Sequence, residues 1–183
     1  MARYRTGLAT RDRILEATAG LLADGGPEGT TIQAICDRAD VRPGSFYNLF
    51  SSKDDAIFEV LLQTMRDAAQ RPAGPPSLDE FIDQWVRFVL DNPTAAMIYM
   101  RLGVTGAVDH THIVDRIRHF QEKRVDYLAA ALTGANPHMT VAEATPRAEL
   151  VLATLNGLTI RYLVDPGFDL AAHVEVLRGI ATT

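Results

Sequence analysis

The stretch TTIQAICDRADVRPGSFYNLF, residues 30–50, decides how this chain is read. Ile32, Ile35, Cys36 and Ala39 recur at offsets 0, +3, +4 and +7, which places them on one face of a short helix. Thr30 with Gln33 suits that helix's start, where a hydroxyl meets the first free amides. Asp40-Val41-Arg42-Pro43-Gly44 breaks the pattern, and Pro43 suits the first turn of a second helix. Val41, Phe46 and Phe50 are expected to face inward, leaving Arg42, Ser45, Tyr47 and Asn48 outward. A helix this short is unstable alone. It makes physical sense as a recognition helix braced by its neighbour and laid in the major groove of DNA.

Together with TRDRILEATAGLLADGG before it and SSKDDAIFEVL after it, this stretch resembles the DNA-binding domain of the TetR family of bacterial transcriptional regulators. The resemblance runs from Thr10 to about Leu62 and rests on the turn, the glycines, Tyr47, Phe50 and Lys53. It implies a ligand-responsive regulator with a small-molecule site in its second half. Leu49 stands where many members have His or Tyr, so the phosphate contact sometimes made there is not expected here.

The seven expected DNA contacts divide by chemistry. Arg42 and Ser45 lie at the front of the recognition helix, where side chains reach base edges, and Gln33 reaches out from the preceding helix. Tyr47 offers a phenol to a phosphate, a contact that positions without specifying, and Asn48 shares its outward side. Thr31 and Lys53 fall at helix N-termini, where free amides and the helix dipole favour an anion. The plainer alternative makes Tyr47 a half-buried core aromatic and Lys53 a solvated charge.

With 183 residues, 47% of them hydrophobic and 22% charged, the chain has the composition of a folded globular protein. No apolar run approaches the length of a membrane span, and MARYRTGLATRDR lacks the apolar core of a signal peptide. The single cysteine, Cys36, excludes an internal disulfide and suits a reducing cytoplasm. Net charge is −5, but its distribution is uneven. Arg3, Arg5, Arg11 and Arg13 stand against Asp12 at the N-terminus, whereas residues 78–183 hold nine Lys/Arg against thirteen Asp/Glu. Residues 1–9 therefore read either as a solvated tail or as a basic arm for the minor groove.

The pattern is all-α, with about nine helices and no strand alternation: an N-terminal helix-turn-helix domain followed by a helical effector and dimerisation domain. Domain boundaries are expected at 1–52 for DNA binding, 53–70 for a connecting helix, 71–77 for a Pro/Gly-rich linker and 78–183 for the second domain. Helices are expected at Thr10–Ala23, from Lys53, from Leu78 behind a Ser77/Glu80 capping box, at Thr94–Leu102, His112–Leu132, Arg147–Val164 and after Asp169. Gly103–Val108 and the polar run before Pro146 read as breaks.

The helix at 147–164 is apolar on most of its circumference, so it is buried on all sides either within one molecule or with help from a second copy. A homodimer interface is expected from Leu152, Leu155, Gly157, Val174 and Leu177. Trp85, Phe88, Met97, Met100, Phe120 and Tyr127 are the candidate lining for a mostly apolar effector, with Arg101 or Arg124 as polar contact. The alternative is ordinary core.

His112, Asp115 and His119 at i, i+3 and i+7 suggest a metal only if another helix contributes, and default to a solvent face. Phosphate loops, nucleophile elbows and zincin motifs are absent, so neither an enzyme nor a cofactor is expected. The alternatives to a regulator that binds a double-stranded operator are a helical ligand-binding or adaptor protein and, third, a metal-dependent helical-bundle enzyme.

Overall fold

A computed structural model describes residues 2–68, 77–109, 113–165 and 167–181, with side chains from residue 7 onward except at 68 and 105–109. Residues 71–76 of the expected 71–77 linker, and the histidines His110 and His112, lie outside the described residues. Within them every regular element is helical: α1 Ala2–Gly29, α2 Ile32–Ala39, α3 Pro43–Tyr47, α4 Lys53–Ala68, α5 Leu78–Asp91, α6 Pro93–Asp109, α7 Ile113–Ala135, α8 Val141–Val164 and α9 Leu170–Ala181. The chain forms two compact units, one chiefly residues 1–64 and the other chiefly the chain from residue 65 onward.

In the first unit, Ile14, Leu15, Ala17 and Leu22 of α1 meet Ile35, Cys36 and Ala39 of α2, Phe46 and Phe50 around α3, and Ile57, Phe58 and Leu61 of α4, all buried. Thr18 is completely buried within the α1 stripe and satisfies its hydroxyl on the Ile14 carbonyl at 2.7 Å. Gly26, at φ 63°, kinks α1 ahead of Pro27. Only a glycine enters that conformation without a Cβ penalty. Two ties hold α2 and α4 to α1: Arg38 pairs with Asp24 at 2.6 Å, and Arg11 with the buried Glu59 at 2.9 Å. Arg38 lies so close over Gly20 that a Cβ there would meet its guanidinium at 2.7 Å.

In the second unit α8 packs on α9 and α6, and α5 on α6 and α9. Leu78, Ile82, Trp85, Phe88 and Val89 of α5 are buried with Ile98 and Tyr99 of α6, Leu128 and Leu132 of α7, and Val151, Leu152 and Leu155 of α8. Arg178 of α9 reaches Asp79 and Asp83 of α5, closing the unit at its edge.

Four expectations are corrected. The backbone is helical from Ala2, eight residues before the expected helix start at Thr10, so residues 2–9 continue α1 rather than forming a disordered tail. The expected break at Gly103–Val108 is helix, α6 running on to Asp109. Glycine weakens a helix interior by only about 1 kcal/mol relative to alanine, and Leu102, buried, anchors that part of the helix. The polar run before Pro146 is the first turn of α8, opened by a capping box in which Thr140 accepts from the Glu143 amide and Glu143 from the Thr140 amide. Finally, Thr31 rather than Thr30 caps α2, accepting from the Ala34 amide at 3.1 Å; Thr30 is buried and donates to the Gly26 carbonyl at 2.8 Å.

Candidate DNA-reading surface and effector domain

The turn between α2 and α3 hinges on Asp40, the one non-glycine residue with positive φ among the described residues (φ 51°, ψ 53°). The left-handed step lets the Asp40 amide bond the Asp37 carbonyl and the Val41 amide bond the Cys36 carbonyl, closing α2. Arg13 donates to the Asp40 carbonyl at 3.4 Å, bracing the turn from α1. Arg42 is extended (φ −80°, ψ 149°) at the N-cap of α3, and Pro43 supplies the preset φ of the first helical position. Phe46, fully buried, packs its ring 5.6 Å from Phe50. That anchor is what positions the other side of a five-residue helix. Cys36 is buried, and desolvation, then the neighbouring Asp37, push its thiol pKa up, which suits an inert core residue.

Tyr47 is 57% exposed, edge-on to Phe46 at 5.6 Å, and Arg42 and Asn48 are exposed beside it in the chain. Ser45, expected to face outward, is half-buried. Thr31 and Gln33 are exposed near the start of α2, but both already have partners: Thr31 as the cap, and Gln33 donating to the Asp37 carboxylate at 2.7 Å. Lys53 is half-buried and donates to the Pro27 carbonyl at 3.2 Å, tying the start of α4 to the kink of α1. Its ammonium keeps further donors, so the tie is compatible with an anion contact.

In the second unit the expected apolar residues separate. Trp85 and Phe88 are buried with rings 5.5 Å apart, and the Trp85 indole donates to the buried Thr159 hydroxyl at 3.1 Å. Phe120, Met100 and Tyr127 are half-buried. Met97, 51% exposed, and Arg101, also exposed, are corrected: they occupy the side of α6 opposite the buried Tyr99 and do not join this cluster. Arg124 does. Its guanidinium carbon lies 4.4 Å from the Trp85 ring centre, 5.0 Å from Phe81 and 5.5 Å from Phe120. The Tyr99 hydroxyl accepts from Arg124 at 3.5 Å and from Gln121 at 2.5 Å. Desolvation is the main cause lowering the Arg124 pKa, partly opposed by Tyr99, but a guanidinium starts high enough to stay charged. Phe81, Tyr99 and Gln121 were not singled out from the sequence. The signal was there, in aromatic or cationic pairs four residues apart at Phe81/Trp85 and Phe120/Arg124.

The expected dimer residues are also corrected. Leu152, Leu155, Val174 and Leu177 lie in the molecule's own core, each no more than 7% exposed. Only Gly157 is exposed. The apolar residues that α8 and α9 turn outward are Leu150, Ile160, Val164, Val176 and Ile180. A groove of about 590 Å³ runs between the two helices, lined by Leu150, Thr154, Leu158, Val176 and Ile180 with Val151 and Leu177. Asp115 and His119, the described residues of the candidate metal set, pair along the surface of α7 with Arg118 and Glu122.

A capped helix, a left-handed turn and a short second helix with an outward tyrosine define a helix-turn-helix DNA-binding protein. Residues 14–60 match the sequence model of the bacterial regulatory proteins of the tetR family. The regulator UidR of Escherichia coli strain K12 is 26% identical over 174 residues, spanning 91% of this chain and 82% of UidR. The repressor KstR of Mycolicibacterium smegmatis is 30% identical over 114 residues, 55% of this chain and 56% of KstR. A crystal structure of a TetR-family regulator from Rhodococcus sp. shares the fold at 19% identity, with a TM-score of 0.73 over 96% of this chain and 99% of that one. Residues 14–60 thus carry a DNA-binding domain of the tetR-family type, and the chain is a DNA-binding transcriptional regulator rather than an enzyme. No helix among the described residues is long and apolar enough to cross a membrane.

Proposed function

We propose that the chain is a homodimeric repressor that binds a palindromic operator through α2 and α3 and releases it when a small, mostly apolar effector enters the domain built from α5 to α9. The observation that carries this reading is the recognition surface itself: Arg42, Tyr47 and Asn48 are outward on a helix pinned by the buried Phe46. The role of Tyr47 is phosphate contact; those of Arg42, Ser45 and Gln33 are base contact, with Thr31, Asn48 and Lys53 supporting. The boundaries that accompany this reading are 1–52 for DNA binding, 53–70 for the connecting helix, 71–77 for the linker and 78–183 for the effector domain.

The dimer is supported by the outward apolar face of α8 and α9, since contiguous exposed apolar patches mark interaction sites. A two-fold axis across that groove would pair the same face with itself and place two recognition helices on two half-sites. Leu150, Thr154, Leu158, Val176 and Ile180 are the residues of that interface, with Gly157 exposed on α8. Effector binding must differ between the DNA-binding and released states, or it shifts nothing. Trp85, Phe88, Met100, Phe120, Arg124 and Tyr127 are the effector contacts of this reading.

The test is in-vitro selection of DNA fragments followed by mobility shift at several salt concentrations. Enrichment of an inverted repeat, with binding that weakens steeply as salt rises, supports the reading. Failure to enrich any sequence over non-specific DNA refutes it.

A further inference from the structure

We propose that the effector carries a carboxylate, and that Arg124 is the residue that binds it. This rests on the ligand-responsive reading above and names the chemistry of its ligand. Arg124 is 8% exposed, yet no carboxylate pairs with it among the described residues. Its single hydrogen bond there is the long one to the neutral Tyr99 hydroxyl. A buried cation without a counter-charge is expensive, and buried charges are as a rule paired.

The ring faces of Trp85, Phe81 and Phe120 balance the positive charge but accept no in-plane hydrogen bond. The fork of N–H donors remains for a planar, bidentate anion, which describes a carboxylate. Trp85 and Tyr99 in this cluster are buried, while Phe81, Phe120 and Tyr127 are half-buried. The guanidinium thus lies against both buried and half-buried rings, so that an apolar ligand body would meet rings and its acid group Arg124. Arg101 is exposed and does not serve this role.

The experiment uses the full chain and its selected operator. Decanoate and 4-phenylbutyrate are titrated against their methyl esters, reading the emission of Trp85, the only tryptophan, and operator release over the same range. A charge-assisted pair predicts at least one acid binding about ten- to a hundredfold more tightly than its ester. Arg124→Met should abolish that preference and leave the melting temperature of the free protein unchanged or higher, because an unpaired buried charge is removed. Arg124→Lys, which keeps the charge without the fork, should bind the acid about tenfold more weakly than the parent if the methionine variant fails to fold.

Esters binding as tightly as acids, no acid altering Trp85 emission, or both Arg124 variants binding the acid like the parent would each overturn the carboxylate assignment. If an ester nevertheless releases the operator, the ligand-responsive reading stands without it. A parent protein that shows no operator binding would remove the reading and the assignment together.

Discussion

Asp40 concentrates much of the logic of the DNA-binding unit in one residue. Its left-handed conformation turns the chain between two short helices, yet costs an L-residue with a side chain more than it costs glycine. Relief of about 1–2 kcal/mol of left-handed strain, less the roughly 0.5–1 kcal/mol entropy cost of a glycine, leaves Asp40→Gly with a net stabilisation, seen as a higher urea midpoint at unchanged slope. A lower midpoint would mean that the carboxylate has a structural role not visible in its backbone. Tyr47 differs: it is exposed and its ring merely leans on Phe46. Tyr47→Phe should weaken binding to every DNA sequence alike, whereas Arg42→Ala should change which bases are preferred. Repeating the DNA selection with each variant decides this; an altered consensus for Tyr47→Phe would reverse the assignment.

At the scale of the element, α8 shows how a few polar residues set where a helix begins. Thr140 and Glu143 satisfy each other's backbone amides, so helix starts six residues before the expected position despite Pro146. Thr140→Ala should cost about 1 kcal/mol. The Thr140 amide, then its hydroxyl, hold the Glu143 carboxyl below its ordinary value of 4.5. A carboxyl whose pKa falls on folding contributes its full stability above the unfolded value and loses it as pH drops through the folded one. Stability should decline on acidification below pH 4.5, and Glu143→Gln should flatten that part of the curve. Equal acid sensitivity in parent and variant would exclude the capping box as its source. The five-residue α3 is the opposite case: it has no side-chain cap at Arg42, and depends on Phe46 buried against its neighbours.

For the whole molecule, the two sides of α8 predict two different phenotypes. Leu155 is 1% exposed, so Leu155→Ala should destabilise the fold by about 2–5 kcal/mol, measured by chemical denaturation. Leu150 and Val176 are each 62% exposed. Leu150→Glu combined with Val176→Glu should leave a folded protein that runs as a monomer in light scattering and loses cooperative operator binding. A double variant that remains dimeric would place the interface elsewhere.

Local rules made much of this molecule legible in its sequence. Periodicity at Ile32, Ile35, Cys36 and Ala39, the breaker run after Ala39 and the aromatic pair Phe46/Phe50 are short-range signals, and they specify the helix-turn-helix because neighbours in the chain build it. Helical content and the Ser77 and Asp169 caps are local for the same reason. What needed tertiary structure was the direction each apolar residue faces. Leu150 and Leu152 are equally hydrophobic, and composition alone did not separate core from surface on a helix apolar all round; packing against α6 and α9 did. Similarly, Arg101 and Arg124 both sit among apolar residues in sequence. Only the meeting of α5, α6 and α7 encloses Arg124 within Trp85, Phe81, Phe120 and Tyr99 and leaves Arg101 in water, since burial depends on which helices pack together and not on the residues next in the chain.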